Sequence, residues 1–149
     1  MKYIYFLIIA FLCINCSSDE KTIEVVEEGI TYGAVLRTLQ FNNTTFIVGD
    51  SSGVYSVDLE EQDELDGDLF ESVDVYAQFL DNTSSNGGTS SSEVLVKSLP
   101  ADSFIMGPVG LPRTTLEIPF TDLLNVTNKV LNDVSGKDQF KIRLDIKLS

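Results

Sequence analysis

A dense run of carboxylates is the part of this sequence that most plainly suits a chemical task. Residues 58–74 include nine acidic side chains, and no Lys or Arg occurs between Arg37 and Lys97. Ca²⁺ prefers several oxygen ligands on a flexible loop, and Asp63, Asp66 and Asp68 offer such oxygens at close spacing. The spacing is not that of an EF-hand. The sequence favours a solvated loop whose charges prevent aggregation of strand edges, with no cofactor; the alternative is a weak calcium site at these three residues.

The same carboxylates bear on whether the protein is an enzyme. Glycoside hydrolysis needs two carboxyl groups about 5–10 Å apart in a cleft, with the pKa of one raised by burial. A loop that is open to water gives no reason to expect such a pKa shift. The chain has no His, which excludes mechanisms that need an imidazole base or metal ligand. We therefore expect a non-enzymatic protein.

Aromatic side chains are the second kind of candidate for ligand contact. β-Sandwich proteins often bind sugars through exposed aromatic rings, and this chain has no Trp but five Tyr and nine Phe. Tyr76 occupies an outward position of a predicted strand, which makes it the candidate for contact with a glycan. One or two exposed rings are normal on any protein surface, so an ordinary surface role stays open beside this one.

The N-terminus predicts where the protein resides. Lys2 precedes an uncharged run at residues 3–14. This run is too short to span a bilayer as a stable anchor, and it has the length of a signal-peptide hydrophobic region. The alternative is a buried N-terminal strand or helix. We interpret the run as a signal peptide because it ends abruptly at a polar, acidic stretch.

The tetrapeptide Cys-Ile-Asn-Cys at residues 13–16 resembles a bacterial lipoprotein box. A Leu is usual at the first position and a small residue at the third, where this chain has Cys13 and Asn15. The resemblance implies cleavage before Cys16 and acylation of that residue, for example with palmitate. The alternative is a redox or metal pair of Cys13 and Cys16, but the chain has no second pair and no His to complete a zinc site.

Charge and anchoring together give an expected location. The net charge of −13 excludes a general nucleic-acid binder, which needs clustered Lys and Arg, and argues against electrostatic docking on anionic lipid. Several acyl chains on Cys16 hold a protein on a membrane without such charges. Residues 17–20, Ser-Ser-Asp-Glu, resemble the acidic tether that directs Bacteroidota lipoproteins to the outer face of the outer membrane. We expect a lipid-anchored, cell-surface protein.

Six strands and one helix are predicted to position these side chains. Apolar and polar residues alternate through most of the chain after residue 33, and this period of two indicates strands. The predicted strands cover residues 34–39, 54–59, 72–79, 93–97, 114–120 and 140–148. Thr121 or Asp122 is predicted to cap a helix that ends near Gly136.

Short strands at this spacing indicate an all-β, antiparallel sandwich of the immunoglobulin or fibronectin type III kind, with one short helix. A seven-stranded sandwich needs one further strand to cover the edge left open. Two explanations stay open: the chain lacks its last strand, or residues 22–30 supply one. The predicted organisation is a signal peptide at residues 1–15, an acidic tether at 16–32 and the sandwich at 33–149.

Five stretches are familiar as a set: GAVLRT at 33–38, VDLEEQD at 57–63, EVLVK at 93–97, GLPR at 110–113 and DQF at 138–140. Together they resemble uncharacterised flavobacterial surface lipoproteins, and the resemblance extends over residues 16–148. Such proteins accompany TonB-dependent porins and their lipoprotein lids in glycan uptake of the starch-utilisation type. In those relatives a further strand follows, which favours the first explanation above.

The resemblance implies an accessory binding or scaffold module on the outer membrane, with a porin complex or a glycan as its partner. It implies no site residue beyond Cys16. The alternative function is a purely structural or adhesion domain with weak calcium binding at residues 58–74.

Overall fold

Seven strands and one helix follow one another in the computed structural model, which describes residues 33–83 and 89–149. The predicted signal peptide, the tether, Cys16 and the possible strand at residues 22–30 lie outside these described residues. The elements are β1 (Val35–Asn43), β2 (Val54–Gln62), β3 (Phe70–Leu80), β4 (Val94–Pro100), β5 (Ile105–Met106), β6 (Pro112–Pro119), α1 (Phe120–Val126) and β7 (Gln139–Leu148).

The strands form two antiparallel sheets. One is four-stranded, in the order β1-β2-β6-β5, and the other is three-stranded, in the order β4-β3-β7. Every strand pair is antiparallel. The prediction of an all-β antiparallel sandwich with one short helix is therefore confirmed. No described helix is long and apolar enough to cross a membrane.

The core lies between the two sheets, because each contributes one apolar row. In β3 the predicted inward row of Val73, Val75, Ala77 and Phe79 is fully buried. Val57 and Leu59 of β2, Leu116 and Ile118 of β6 and three residues of the β3 row belong to one cluster. The alternation of apolar and polar residues along each strand produces this burial, since successive side chains point to opposite faces.

The helix is shorter than its sequence pattern predicts. It begins at Phe120, directly after Pro119, and ends at Val126. Asn128 then has a φ of 56°, a left-handed conformation that stops a helix and that Asn tolerates better than most residues. Val130, which stands at a helical offset from Leu123 and falls within the longer predicted helix, lies after its end and is 61% exposed. The predicted end near Gly136 was therefore wrong.

Candidate functional site

A cleft of about 490 Å³ opens where the connection between β1 and β2 meets the start of β7. Its apolar lining includes Phe46, Val48, Tyr55, Phe140 and Ile142. Its polar lining comes from Thr44, Thr45, Ser135, Asp138 and Gln139. An apolar floor with a few polar groups at the rim is the usual composition of a ligand-binding site.

Three phenylalanine rings pack against one another beside the cleft. Phe46 stacks on Phe120, the first residue of α1, with ring centroids 4.4 Å apart. The Phe140 ring lies edge-on to both, 6.3 Å from Phe46 and 5.8 Å from Phe120. Because aromatic pairs in such arrangements attract one another beyond their burial, the connection between β1 and β2 is fixed to α1 and β7. The cleft is thus preformed by packing between distant parts of the chain.

Asp138 is the one carboxylate among the described residues that line the cleft, and its oxygens already accept hydrogen bonds. The backbone N–H of Ser135 donates to Oδ2 over 2.7 Å, and that of Asn82 donates to Oδ1 over 2.8 Å. Burial opposes ionisation of Asp138, but these hydrogen bonds outweigh it and keep its pKa below the ordinary value. Asp138 is therefore ionised at neutral pH, and it fixes the rim of the cleft.

The acidic run is not a continuous open loop, which corrects the expectation from sequence. β2 continues to Gln62 and β3 begins at Phe70, so only residues 63–69 connect them. Glu60 and Glu61 lie in β2 and are fully buried. The expectation that these carboxylates face water and keep ordinary pKa values was wrong for this pair.

Glu60 lies on the outer face of the four-stranded sheet, between two arginines on the neighbouring strands. In register, Arg37 of β1 and Arg113 of β6 both stand opposite Glu60. Each guanidinium forms an ion pair with one Glu60 oxygen. Burial opposes ionisation of Glu60, but the hydrogen bonds and charges of Arg113 and Arg37 hold its pKa below the ordinary value. The arrangement ties three strands together.

Glu61 points to the opposite face and has no such partner. Neither of its carboxyl oxygens has a hydrogen-bond partner among the described residues. Burial, together with the negative charge of Asp63, raises the pKa of Glu61 to about 7. A carboxyl group in this situation exchanges its proton near neutral pH, because burial disfavours its charged form.

The three residues of the predicted calcium site lie in the connection between β2 and β3, but they do not converge. Asp63 Oδ1 accepts the backbone N–H groups of Leu65 and Gly67, each over 2.8 Å, and Oδ2 accepts that of Leu69 over 2.9 Å. Asp66 and Asp68 are exposed. No group of three or more Cys, Asp or Glu side chains within the described ranges is arranged to hold a metal ion. The calcium site stays a prediction.

Tyr76 lies on the outer face of the three-stranded sheet, as predicted from the alternation in β3. The Arg143 guanidinium lies over its ring, 4.2 Å from the centroid. Arg143 also forms ion pairs with Glu93 and Asp145, so it is held in place from two sides. Contact between Tyr76 and a sugar stays a prediction, and one face of its ring is covered by Arg143.

Sequence reasoning missed the residues that the structure brings together at the cleft. Phe46 lies outside every predicted strand, and Tyr55 and Phe140 lie within two of them. Their shared position depends on which strands are neighbours and in what register, which a single sequence does not state. The alternation of apolar and polar residues in those two strands was the available signal.

Comparisons with protein family models, with curated proteins and with solved structures found no match for this chain.

Proposed function

We propose that the protein is a lipid-anchored, non-enzymatic adaptor on the outer face of the outer membrane, which binds a polypeptide partner through the cleft beside β7. The partner that the sequence favours is a component of a TonB-dependent porin complex for glycan uptake. The observation that carries the proposal is the preformed cleft of about 490 Å³ with its apolar floor and polar rim. Concave sites of this composition serve binding more often than any other part of a small domain.

Binding is favoured over catalysis by the groups that line the cleft. Its one carboxylate, Asp138, is occupied by backbone N–H groups and has a lowered pKa. A general acid at neutral pH needs a raised pKa. Glu61 has such a pKa, but it is buried and is not among the residues that line the cleft.

The packing of the aromatic rings favours a polypeptide over a sugar as the ligand of the cleft. Sugars stack on the open face of a ring, whereas Phe46 is stacked on Phe120 and lies edge-on to Phe140. Outside the cleft, Arg143 covers one face of Tyr76. Apolar side chains of a partner need no flat ring face, so they suit this lining better.

The test uses thiol chemistry on intact cells. If Cys16 is acylated and residues 1–15 are removed, the mature chain has no free thiol. A single introduced cysteine then carries a membrane-impermeant photo-crosslinker. Val48→Cys places it at the cleft, and Val109→Cys places it at a similarly exposed residue away from the cleft (54% and 65% exposed).

We expect an adduct with an outer-membrane porin or its lid from Val48→Cys and none from Val109→Cys. Equal adducts from both positions, or none from either, contradict the adaptor function. Metabolic palmitate labelling tests the anchor separately. Labelling should disappear in Cys16→Ala, and labelling that persists in this variant contradicts the predicted location.

A further inference from the structure

β7 has a free edge. It pairs only with β3 within the described ranges, and its other side faces away from the sheet. The pairing with β3 runs without interruption from Gln139 to Lys147. On the free side of such a strand, the outward N–H and C=O groups form a regular row that another strand can pair with.

The other edges are less suited to pairing. β1 has two irregularities in its register, and β5 has two residues. β4 has one irregularity, at the position opposite Val75 and Tyr76, and it ends at Pro100. Irregularities twist an edge and Pro removes a donor. β7 is therefore the longest regular edge of the described sandwich.

The core-facing side of β7 is incompletely covered. Phe140, Ile142, Leu144 and Ile146 pack against the core but are only half-buried, whereas the corresponding residues of β3 are fully buried. On β1, Phe41 stands in register opposite the core residue Val57 and is still 67% exposed. Apolar surface thus remains open on the core-facing sides of β7 and of β1, which are edge strands of the two sheets.

The cleft is continuous with this edge, since Gln139, Phe140 and Ile142 of β7 belong to its lining. A strand added beside β7 directs alternate side chains toward the core face. Apolar residues at those positions would enter the cleft and cover the half-buried row. The cleft and the edge of the described sheet therefore lie side by side along β7.

The charge of β7 identifies the chemistry of the added strand. Lys141, Arg143 and Lys147 of β7 are three of the ten basic residues of a chain whose net charge is −13, and Lys137 lies just before the strand. Asp145 shares the outward row of β7. Of the basic side chains in that row, Arg143 and Lys147 have ion-pair partners, and Lys141 is exposed near the start of the regular stretch, two residues after Gln139. Opposite charges on neighbouring strands attract, and like charges repel.

We propose that β7 receives an extended, acidic segment of a partner polypeptide as a fourth strand of the three-stranded sheet, with its apolar residues in the cleft and its carboxylates beside Lys141. Addition of a strand to a sheet edge is a recurrent mode of peptide recognition. This inference rests on the adaptor function proposed above, and it names the mode of binding. A second copy of the chain is disfavoured, because it would bring together two identical basic strands.

The probe is a blocked ten-residue peptide in which isoleucine alternates with glutamate, added to the purified full chain in mild detergent. We expect saturable binding and slower amide hydrogen exchange along β7, by about tenfold, with no change in β4. The matched peptide with lysine in place of glutamate should bind about tenfold more weakly. Equal binding of the two peptides, or protection of β4 in place of β7, overturns the proposal.

Two charge variants locate the contact. Lys141→Glu and Lys137→Glu change the net charge equally, but only Lys141 belongs to β7. Lys141→Glu should weaken binding of the acidic peptide about fivefold to tenfold, and Lys137→Glu should weaken it clearly less. Equal weakening contradicts strand pairing, because it reports only long-range charge.

Two further results show what pairs with the edge of β7, and they separate a failure of the adaptor function from a failure of strand addition. Sedimentation of the chain alone should give a monomer, and a dimer with protected β7 amides would assign the edge to a second copy. If the crosslink from Val48→Cys identifies a porin component but the peptide does not bind, the adaptor function stands and strand addition fails. If the peptide binds but no crosslink forms, β7 accepts an added strand and the proposed adaptor function is contradicted.

Discussion

Glu60 and Glu61 are neighbours in β2, but the surroundings of Glu60 stabilise its negative charge and the surroundings of Glu61 destabilise it. Glu60 accepts hydrogen bonds from two arginines, whereas neither oxygen of Glu61 has a hydrogen-bond partner among the described residues. Since successive residues of a strand point to opposite faces, one step along the chain separates a paired carboxylate from an isolated one. This difference makes Glu61 the residue through which stability depends on pH near neutrality.

Glu61→Gln should remove that dependence. The pKa of Glu61 is about 7 in the folded protein, against 4.5 for an unperturbed Glu. The folded state therefore binds the proton more tightly. The stability that Glu61 contributes is complete below about pH 4.5 and is lost as the pH rises through 7, a change of about 3 kcal/mol in the free energy of unfolding.

Urea denaturation between pH 5 and pH 8 measures this effect. The variant should match the wild type at the acidic end and exceed it at the alkaline end. Glu64→Gln, which changes an exposed carboxylate in the nearby loop, serves as the control and should run parallel to the wild type. Parallel curves for Glu61→Gln as well would show that its carboxyl group is solvated.

Asp63 has a structural task that can be separated from calcium binding. It accepts three backbone N–H groups of the connection between β2 and β3. Asp63→Ala leaves these donors without their charged acceptor and should cost about 2–3 kcal/mol of stability in the presence of a chelator. Thermal melts with chelator and with calcium measure it.

Calcium binding at this loop predicts a different result in the same thermal melts. If the ion binds through this loop, calcium should raise the melting temperature of the wild type, and Asp66→Ala and Asp68→Ala should remove the rise. A wild-type melting temperature that is equal with calcium and with chelator would remove the calcium hypothesis and leave the loss in Asp63→Ala intact.

At the scale of elements, Gly67 brings the loop between β2 and β3 into close packing against Pro112, the first residue of β6. Its φ is +104°, and a Cβ at this position would collide with the ring of Pro112. Gly67→Ala therefore combines backbone strain with a steric conflict and should cost about 2 kcal/mol or more. Gly136→Ala is the control, because Gly136 has no positive φ and open space around a Cβ. Chemical denaturation should give unequal losses, and equal losses contradict the close packing against Pro112.

The regular strands could be predicted from sequence, and the irregular elements could not. β3 and β7 alternate cleanly, so their boundaries and buried rows follow from a period of two. β1 is predicted only as far as residue 39, since its two irregularities in register lie after Thr38, and β5 has only two residues, too few to show a period. Val130 and Leu131 stand at helical offsets from Leu123 and Leu124, but Asn128 stops the helix before them.

The cleft could not be predicted because its lining comes from distant parts of the chain. Thr44 and Gln139 are nearly one hundred residues apart in sequence and line the same space. Their meeting requires the sheet order and the stacking of Phe46 on Phe120. Periodicity gives the face on which a residue lies, but it does not give the neighbour across the core.

At the scale of the whole molecule, the net charge of −13 should govern how salt affects stability. The described ion pairs of the three-stranded sheet are partly exposed, for example Arg143 with Asp145 and Lys147 with Asp74, and such pairs contribute little. Repulsion among the excess carboxylates acts on the whole folded chain and is screened when the Debye length falls to about 10 Å or less. Raising sodium chloride from about 20 to 300 mM should therefore increase the melting temperature by a few degrees. Lys141→Glu removes one positive charge and adds one negative charge, so it should steepen the increase, whereas a melting temperature that falls with salt would mean that the ion pairs outweigh the repulsion.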